Sequence, residues 1–147
     1  MIVASADDMS GRPQIVCSVE AVAFSAALAF SMTGAEGAPA GKTGDPRAGE
    51  RAYAQCLSCH ALQRNVVGPK HCGVVGRRAG SVAGFDYSPA LRASNITWTP
   101  ETLDRFLANP MKAIPGTSMI YAGIADAKQR ADVIAWLRQL DASKARR

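Results

Sequence analysis

The chain has 147 residues, enough for one domain, with 20% charged and 6% aromatic residues, an ordinary globular composition. The net charge of +5 is uneven: residues 1–35 set Arg12 against Asp7, Asp8 and Glu20, a net of −2, which leaves +7 on the remainder. A basic body fits acidic protein partners or anionic surfaces. It argues against nucleic acid, because the bases are scattered and not interleaved with aromatics.

Residues 1–40 read as a signal peptide or N-terminal leader. Ala21 to Met32 is an apolar run of twelve residues, followed by the small residues Thr33-Gly34-Ala35 and Ala38-Pro39-Ala40. This fits a secretory signal cleaved after Ala35 or Ala40, and is too short to span a bilayer. The lead before it is long and acidic, so the start could instead lie at Met9. An uncleaved anchor over Ile15 to Met32 is the alternative, and Glu20 argues against it. The expected location is therefore periplasmic, with a membrane-anchored form as the alternative.

The folded body is expected over residues 45–141. Three capping residues followed by proline open helices there. Asp45-Pro46 starts one running to about Leu57, and Ser88-Pro89 a short one to about Ala93. Thr99-Pro100 starts one that ends near Ala108, because Pro110 disfavours helix at Asn109. A fourth runs from about Ala127 to Leu140 with Asp126 as cap. Its Val133, Ile134, Trp136, Leu137 and Leu140 share one face. Gly68 to Gly84 holds five glycines and no periodicity, as suits backbone wrapped around a flat group. No run alternates as a strand would. Residues 142–147, with Lys144, Arg146 and Arg147, read as a basic, solvated tail.

The chemistry lies in Cys56-Leu57-Ser58-Cys59-His60. Two thiols at this spacing can add across the two vinyl groups of one haem, and the following histidine can bind the iron. A redox dithiol uses the same spacing but sits at a strand-to-helix junction. A zinc site would need His71 and Cys72, which are adjacent where ligands are usually spaced apart. A sixth ligand to iron would come from His71, Met111 or Met119. Spacing favours Met119, which follows the irregular Pro115-Gly116-Thr117-Ser118.

The body resembles a class I cytochrome c. The resemblance covers about Asp45 to Leu140. It rests on Cys56-Leu57-Ser58-Cys59-His60, Gly68-Pro69, Gly73-Val74-Val75-Gly76-Arg77, Gly84-Phe85-Asp86-Tyr87-Ser88, Ile96-Thr97-Trp98, and Asn109-Pro110 through Ile114-Pro115-Gly116-Thr117-Ser118-Met119. It implies an all-α fold of four to five helices and Gly-rich loops around one covalent haem c. It implies a one-electron carrier cycling Fe(III)/Fe(II) between respiratory or photosynthetic proteins, not an enzyme.

Position by position, the resemblance makes Cys56 and Cys59 the thioether residues and His60 and Met119 the axial ligands. Pro69 would accept a hydrogen bond from His60 through its carbonyl. Arg77, Tyr87 and Trp98 would hold a propionate, and Thr117 would steady the distal loop. Gly49 and Tyr53 would cross Val133 and Trp136. The implied partners are a donor such as a bc1-type complex, an acceptor such as an oxidase, reductase or reaction centre, and the haem-attachment machinery. The carrier would be a monomer, with Lys70, Lys112 and Lys128 speeding encounter.

The departures are also specific. His71 stands where the family has Leu, and would be either solvent-exposed or a misligation risk. Cys72 would be the one free thiol of an exported protein. Phe106 replaces a Tyr, which removes a hydrogen bond toward the Met119 sulfur. Ser118 replaces a Lys, which thins the basic docking ring. Competing functions are a subunit dedicated to one oxidase or dehydrogenase, a zinc module, and a haem enzyme or gas sensor.

Overall fold

A computed structural model describes residues 43–142, with side chains as far as Leu140. The expected leader and tail lie outside the described residues, apart from the first residue of the tail. Within them are five α-helices and one 3-10 turn, with a lone bridge between Arg78 and Thr97 and no named strand.

The capping residues act as their chemistry dictates. Helix α1, Pro46–Tyr53, starts where the Asp45 carboxylate accepts from the Arg47 N–H at 2.9 Å. It is shorter than the sequence implied: Ala54–Cys56 tightens into a 3-10 turn. Past Tyr53, residues 54, 55, 57, 58 and 59 are exposed, so no buried stripe holds an α pitch. Helix α2, Pro89–Ala93, is capped by Ser88. Helix α3, Pro100–Ala108, opens with a reciprocal box: Thr102 N–H donates to the Thr99 hydroxyl oxygen and Thr99 N–H to that of Thr102. Asn109 then ends α3 and caps the short α4, Pro110–Ala113, by accepting from the Lys112 N–H at 2.9 Å. Helix α5, Ala127–Ala142, begins after Asp126, whose carboxylate accepts from the Lys128 N–H.

The core forms where α1 crosses α5. Gly49 lies directly on α5, and a Cβ there would overlap the Asp132 carbonyl. Tyr53, only 2% exposed, meets the Trp136 ring at 4.3 Å between centroids. Val133, Ile134, Leu137 and Leu140 complete the contact with Leu103, Phe106 and Leu107 of α3. Each such aliphatic or aromatic side chain, once buried, contributes about 1.5–3 kcal/mol.

Two polar clasps fix the crossing. Buried Asp132 accepts from the Asp45 N–H at 2.6 Å and from Lys128 Nζ at 2.7 Å on both oxygens. Lys128, expected to serve docking, also closes this clasp while its side chain stays 64% exposed. Arg130 joins Asp104 of α3 at 2.7 Å and donates to the carbonyls of Ile124 and Ala125. The long loop between α1 and α2 is thereby hung from a rigid frame.

Candidate functional site

The turn after α1 brings two thiols and an imidazole together. Backbone bonds run from Cys59 N–H and His60 N–H to the Cys56 carbonyl, at 3.2 and 2.9 Å. Both thiols are free. Burial, and next the neighbouring Cys59, push the Cys56 thiol up to about 11. That is opposite to the activated thiolate a redox dithiol needs.

His60 is held at one edge. Its Nδ1 lies 2.8 Å from the Pro69 carbonyl oxygen, so this nitrogen carries the proton and Nε2 is left to bind a metal. Burial holds the ring below the usual imidazole range, with the Pro69 bond opposing. The neutral ring favoured by burial is the form that ligates. Gly68 approaches so closely that a Cβ there would overlap the His60 ring. The Gly-Pro pair therefore does two jobs: one residue gives the carbonyl, the other gives room.

One face of His60 is also covered. His71 stacks on it at 4.0 Å between centroids and 26° between planes. Of the two outcomes expected for His71, solvent exposure does not occur: the ring is packed against His60. Its Nδ1 and the Tyr53 hydroxyl share a hydrogen bond of 2.8 Å. Burial first, then His60 and Arg77, push it down to about 3. The neighbouring Cys72 is disulfide-bonded, which corrects the expectation of a free thiol. Among the described residues, no three His, Cys, Asp or Glu side chains converge on a metal position. The zinc arrangement of Cys56, Cys59, His71 and Cys72 is therefore not formed.

The segment bearing Arg77 pairs with the one bearing Trp98: Gly76 N–H donates to the Trp98 carbonyl, and Trp98 N–H to the Arg77 carbonyl. The Arg77 guanidinium donates to the carbonyls of Cys72 and Lys70, at 3.1 and 2.9 Å. Tyr87 is buried against Phe85, and burial raises its hydroxyl while nearby Arg77 pulls it back. Trp98 packs on Phe106 at 4.9 Å. Tyr87 and Trp98 both belong to the buried core, and Arg77 lies near enough to Tyr87 to act on its hydroxyl.

Met119 follows α4 on an irregular loop and packs partly buried against the core. Its N–H donates to the buried Thr117 hydroxyl oxygen at 3.3 Å. Two residues on, the Tyr121 hydroxyl donates to Gln55 Oε1 at 2.7 Å, joining this loop to the turn before Cys56. Neither this bond nor the His71 stack was visible in the sequence. The first joins positions 66 apart, and the second needs the loop's path.

The family model for cytochrome c matches residues 46–141. The chain belongs to the cytochrome c family. Cytochrome c2 of Rhodomicrobium vannielii is 43% identical over 117 residues, covering 76% of this chain and 94% of that protein. Cytochrome c 2.1 of Caenorhabditis briggsae is 45% identical over 104 residues, covering 69% and 92%. Among solved structures, cytochrome cH from Methylobacterium extorquens superposes with a TM-score of 0.64 at 45% identity, covering 65% of this chain and 99% of that one.

The protein is accordingly a monohaem c-type electron carrier with covalently attached haem c, and its fold is the all-α fold expected. The residues present fit that group. Two unactivated thiols flank two residues on one turn, a neutral imidazole has its far nitrogen available, and the Met119 thioether packs partly buried against the core. Among the described residues, no helix is long and apolar enough to cross a membrane.

Proposed function

We propose that Cys56 and Cys59 carry the thioether bonds, each adding S–H across one vinyl group, and that His60 and Met119 are the axial ligands. The bound haem supplies the Fe(III)/Fe(II) couple. The chain's residues hold it still. Pro69 orients His60 and makes its far nitrogen a better donor. Thr117 steadies the Met119 loop. Arg77, Tyr87 and Trp98 supply the charge and hydrogen bonds that keep a buried propionate paired. The observation that supports this reading is the turn itself, with Cys59 and an edge-anchored His60 both bonded through their N–H groups to the Cys56 carbonyl.

Two strong ligands leave no open position, so the carrier performs no substrate chemistry of its own. The thioether of Met119 favours the reduced state relative to a second imidazole. We infer export from the apolar run at Ala21 to Met32, and exchange with a bc1-type donor and an oxidase, reductase or reaction centre. Leu57, Val67 and Ile120 are exposed in the same segments as Cys56, Pro69 and Met119, and Ile120 is 91% exposed. That favours docking through an apolar centre, with Lys70 and Lys112 adding a salt-dependent contribution to the encounter rate.

The test is the visible spectrum of protein made with a haem-attachment system. Sharp reduced bands and a weak far-red ferric sulfur band are expected, and Met119→Ala removes the far-red band together with the low-spin character of the spectrum. Retention of that band in Met119→Ala would reject Met119 as ligand.

A further inference from the structure

On the reading of His60 as the proximal ligand, we infer that His71 is a positioning residue. Its ring, clasped by Tyr53, is stacked on His60 and sets the plane in which that imidazole meets the iron.

A histidine bound through Nε2 can still rotate about its metal bond. A hydrogen bond at Nδ1 limits that rotation at one edge, but a single bond tolerates a range of angles. A planar ring at 4.0 Å and 26° restrains the face as well. A branched aliphatic chain in the same place would fill volume without defining a plane. The usual Leu of the family therefore gives packing here, and His71 gives packing plus orientation.

The stack would add little if His71 itself could turn. It is fixed at its own edge by the Tyr53 hydroxyl, 2.8 Å from Nδ1, and meets the Tyr53 ring edge-on at 5.6 Å. Tyr53 is in turn the most enclosed aromatic of the core, wedged against Trp136 where α1 crosses α5. The line Trp136–Tyr53–His71–His60 thus connects the stiffest part of the fold to the ligand. Gly68, with no space for a Cβ, leaves the His60 ring nowhere to swing on that side.

The ferric haem-methyl NMR shifts and the anisotropy of the ferric EPR signal report ligand-plane orientation and do not respond to stability alone. In the holoprotein, His71→Leu is expected to redistribute the haem-methyl shifts and displace the g-values, with the low-spin spectrum and far-red band retained. Tyr53→Phe, which removes only the hydroxyl, should give a smaller change in the same direction. His71→Phe, which keeps a planar ring, should return the pattern toward wild type. An unchanged methyl pattern in His71→Leu overturns the inference and leaves the ligand assignment intact. If His71→Leu fails to take up haem, Tyr53→Phe decides: a shifted pattern supports the inference and an unshifted one overturns it. A wild-type ferric spectrum without the imidazole–thioether low-spin signature overturns both this inference and the ligand reading beneath it.

Discussion

The two sides of the site are built to different standards of rigidity. On the His60 side, a carbonyl, a stacked ring and a glycine backbone meet one imidazole from separate directions, and the ring behind it is anchored in the helix crossing. On the Met119 side, the proposed ligand rides a loop between α4 and α5, steadied by a 3.3 Å bond to Thr117, by the Tyr121–Gln55 bond two residues away, and at its far end by the Ile124 N–H on the Leu107 carbonyl and the close approach of Gly123 to α3. The difference follows from what each side must do. With Cys56 and Cys59 as the proposed attachment points, the first would be assembled beside them and need never move. The second would close over a group already attached, and so is made of segments far apart in sequence. In such a carrier the Met119 loop is the side that opens first.

The largest expected effect tests this contrast with matched glycines. Gly68→Ala places a methyl group on the His60 ring, where neither the Pro69 carbonyl nor His71 leaves space to retreat. The expected cost is about 3 kcal/mol. Gly116→Ala, on the Met119 side, meets only the Ala90 Cβ at 3.2 Å and suffers mainly from its φ of +87°. There the cost is about 1–2 kcal/mol. Denaturant unfolding of the two holoproteins measures both. Equal losses would mean that the sides are equally rigid.

A smaller effect comes from the latch across the two sides. Tyr121→Phe removes the hydroxyl that donates to Gln55 and little else. One exposed hydrogen bond is worth about 1 kcal/mol, or roughly a fivefold shift in the opening equilibrium. The expected result is about that increase in the apparent affinity of the ferric protein for added imidazole, with no change in the His60 signature. An unchanged affinity would show that Thr117 and packing alone retain the Met119 loop.

Much of this was legible from local chemistry. Asp45-Pro46, Ser88-Pro89 and Thr99-Pro100 marked three helix starts to the residue, because both signals act within one turn. Cys56, Cys59 and His60 announced themselves by spacing. Three things were not legible. The α pitch fails after Tyr53 because most of the following residues are exposed and no continuous buried stripe holds it, which is a tertiary fact. Asn109 caps a further helix, α4, where Pro110 read only as a stop. His71 looked like a polar intruder, and its meaning depends on Tyr53, 18 residues earlier, being delivered to its Nδ1 by the α1–α5 crossing. Lys128 read as a docking charge, and its second partner, Asp132 one turn along α5, was not singled out.

That clasp yields the smallest effect, and it places acid sensitivity in the frame behind His60. The Lys128 ammonium first, then the Asp45 N–H, hold the Asp132 carboxyl below its usual range. A carboxylate depressed in the folded state adds stability above its unfolded value, and that stability is lost as pH falls through the folded value. Below the ordinary carboxylate range, near pH 4, the clasp therefore weakens progressively. Asp132→Asn keeps an oxygen for the Asp45 N–H but cannot titrate. The variant should be less stable than wild type at neutral pH, and the gap should narrow as the solution is acidified, read from thermal unfolding at a series of pH values. Because the clasp closes α1 on α5, its loss should loosen Tyr53 and, through it, the His60 side, while the Met119 loop keeps its far-red band. A gap that stays constant with pH would assign the acid response to another carboxylate and detach the frame's titration from the rigidity of the proximal side.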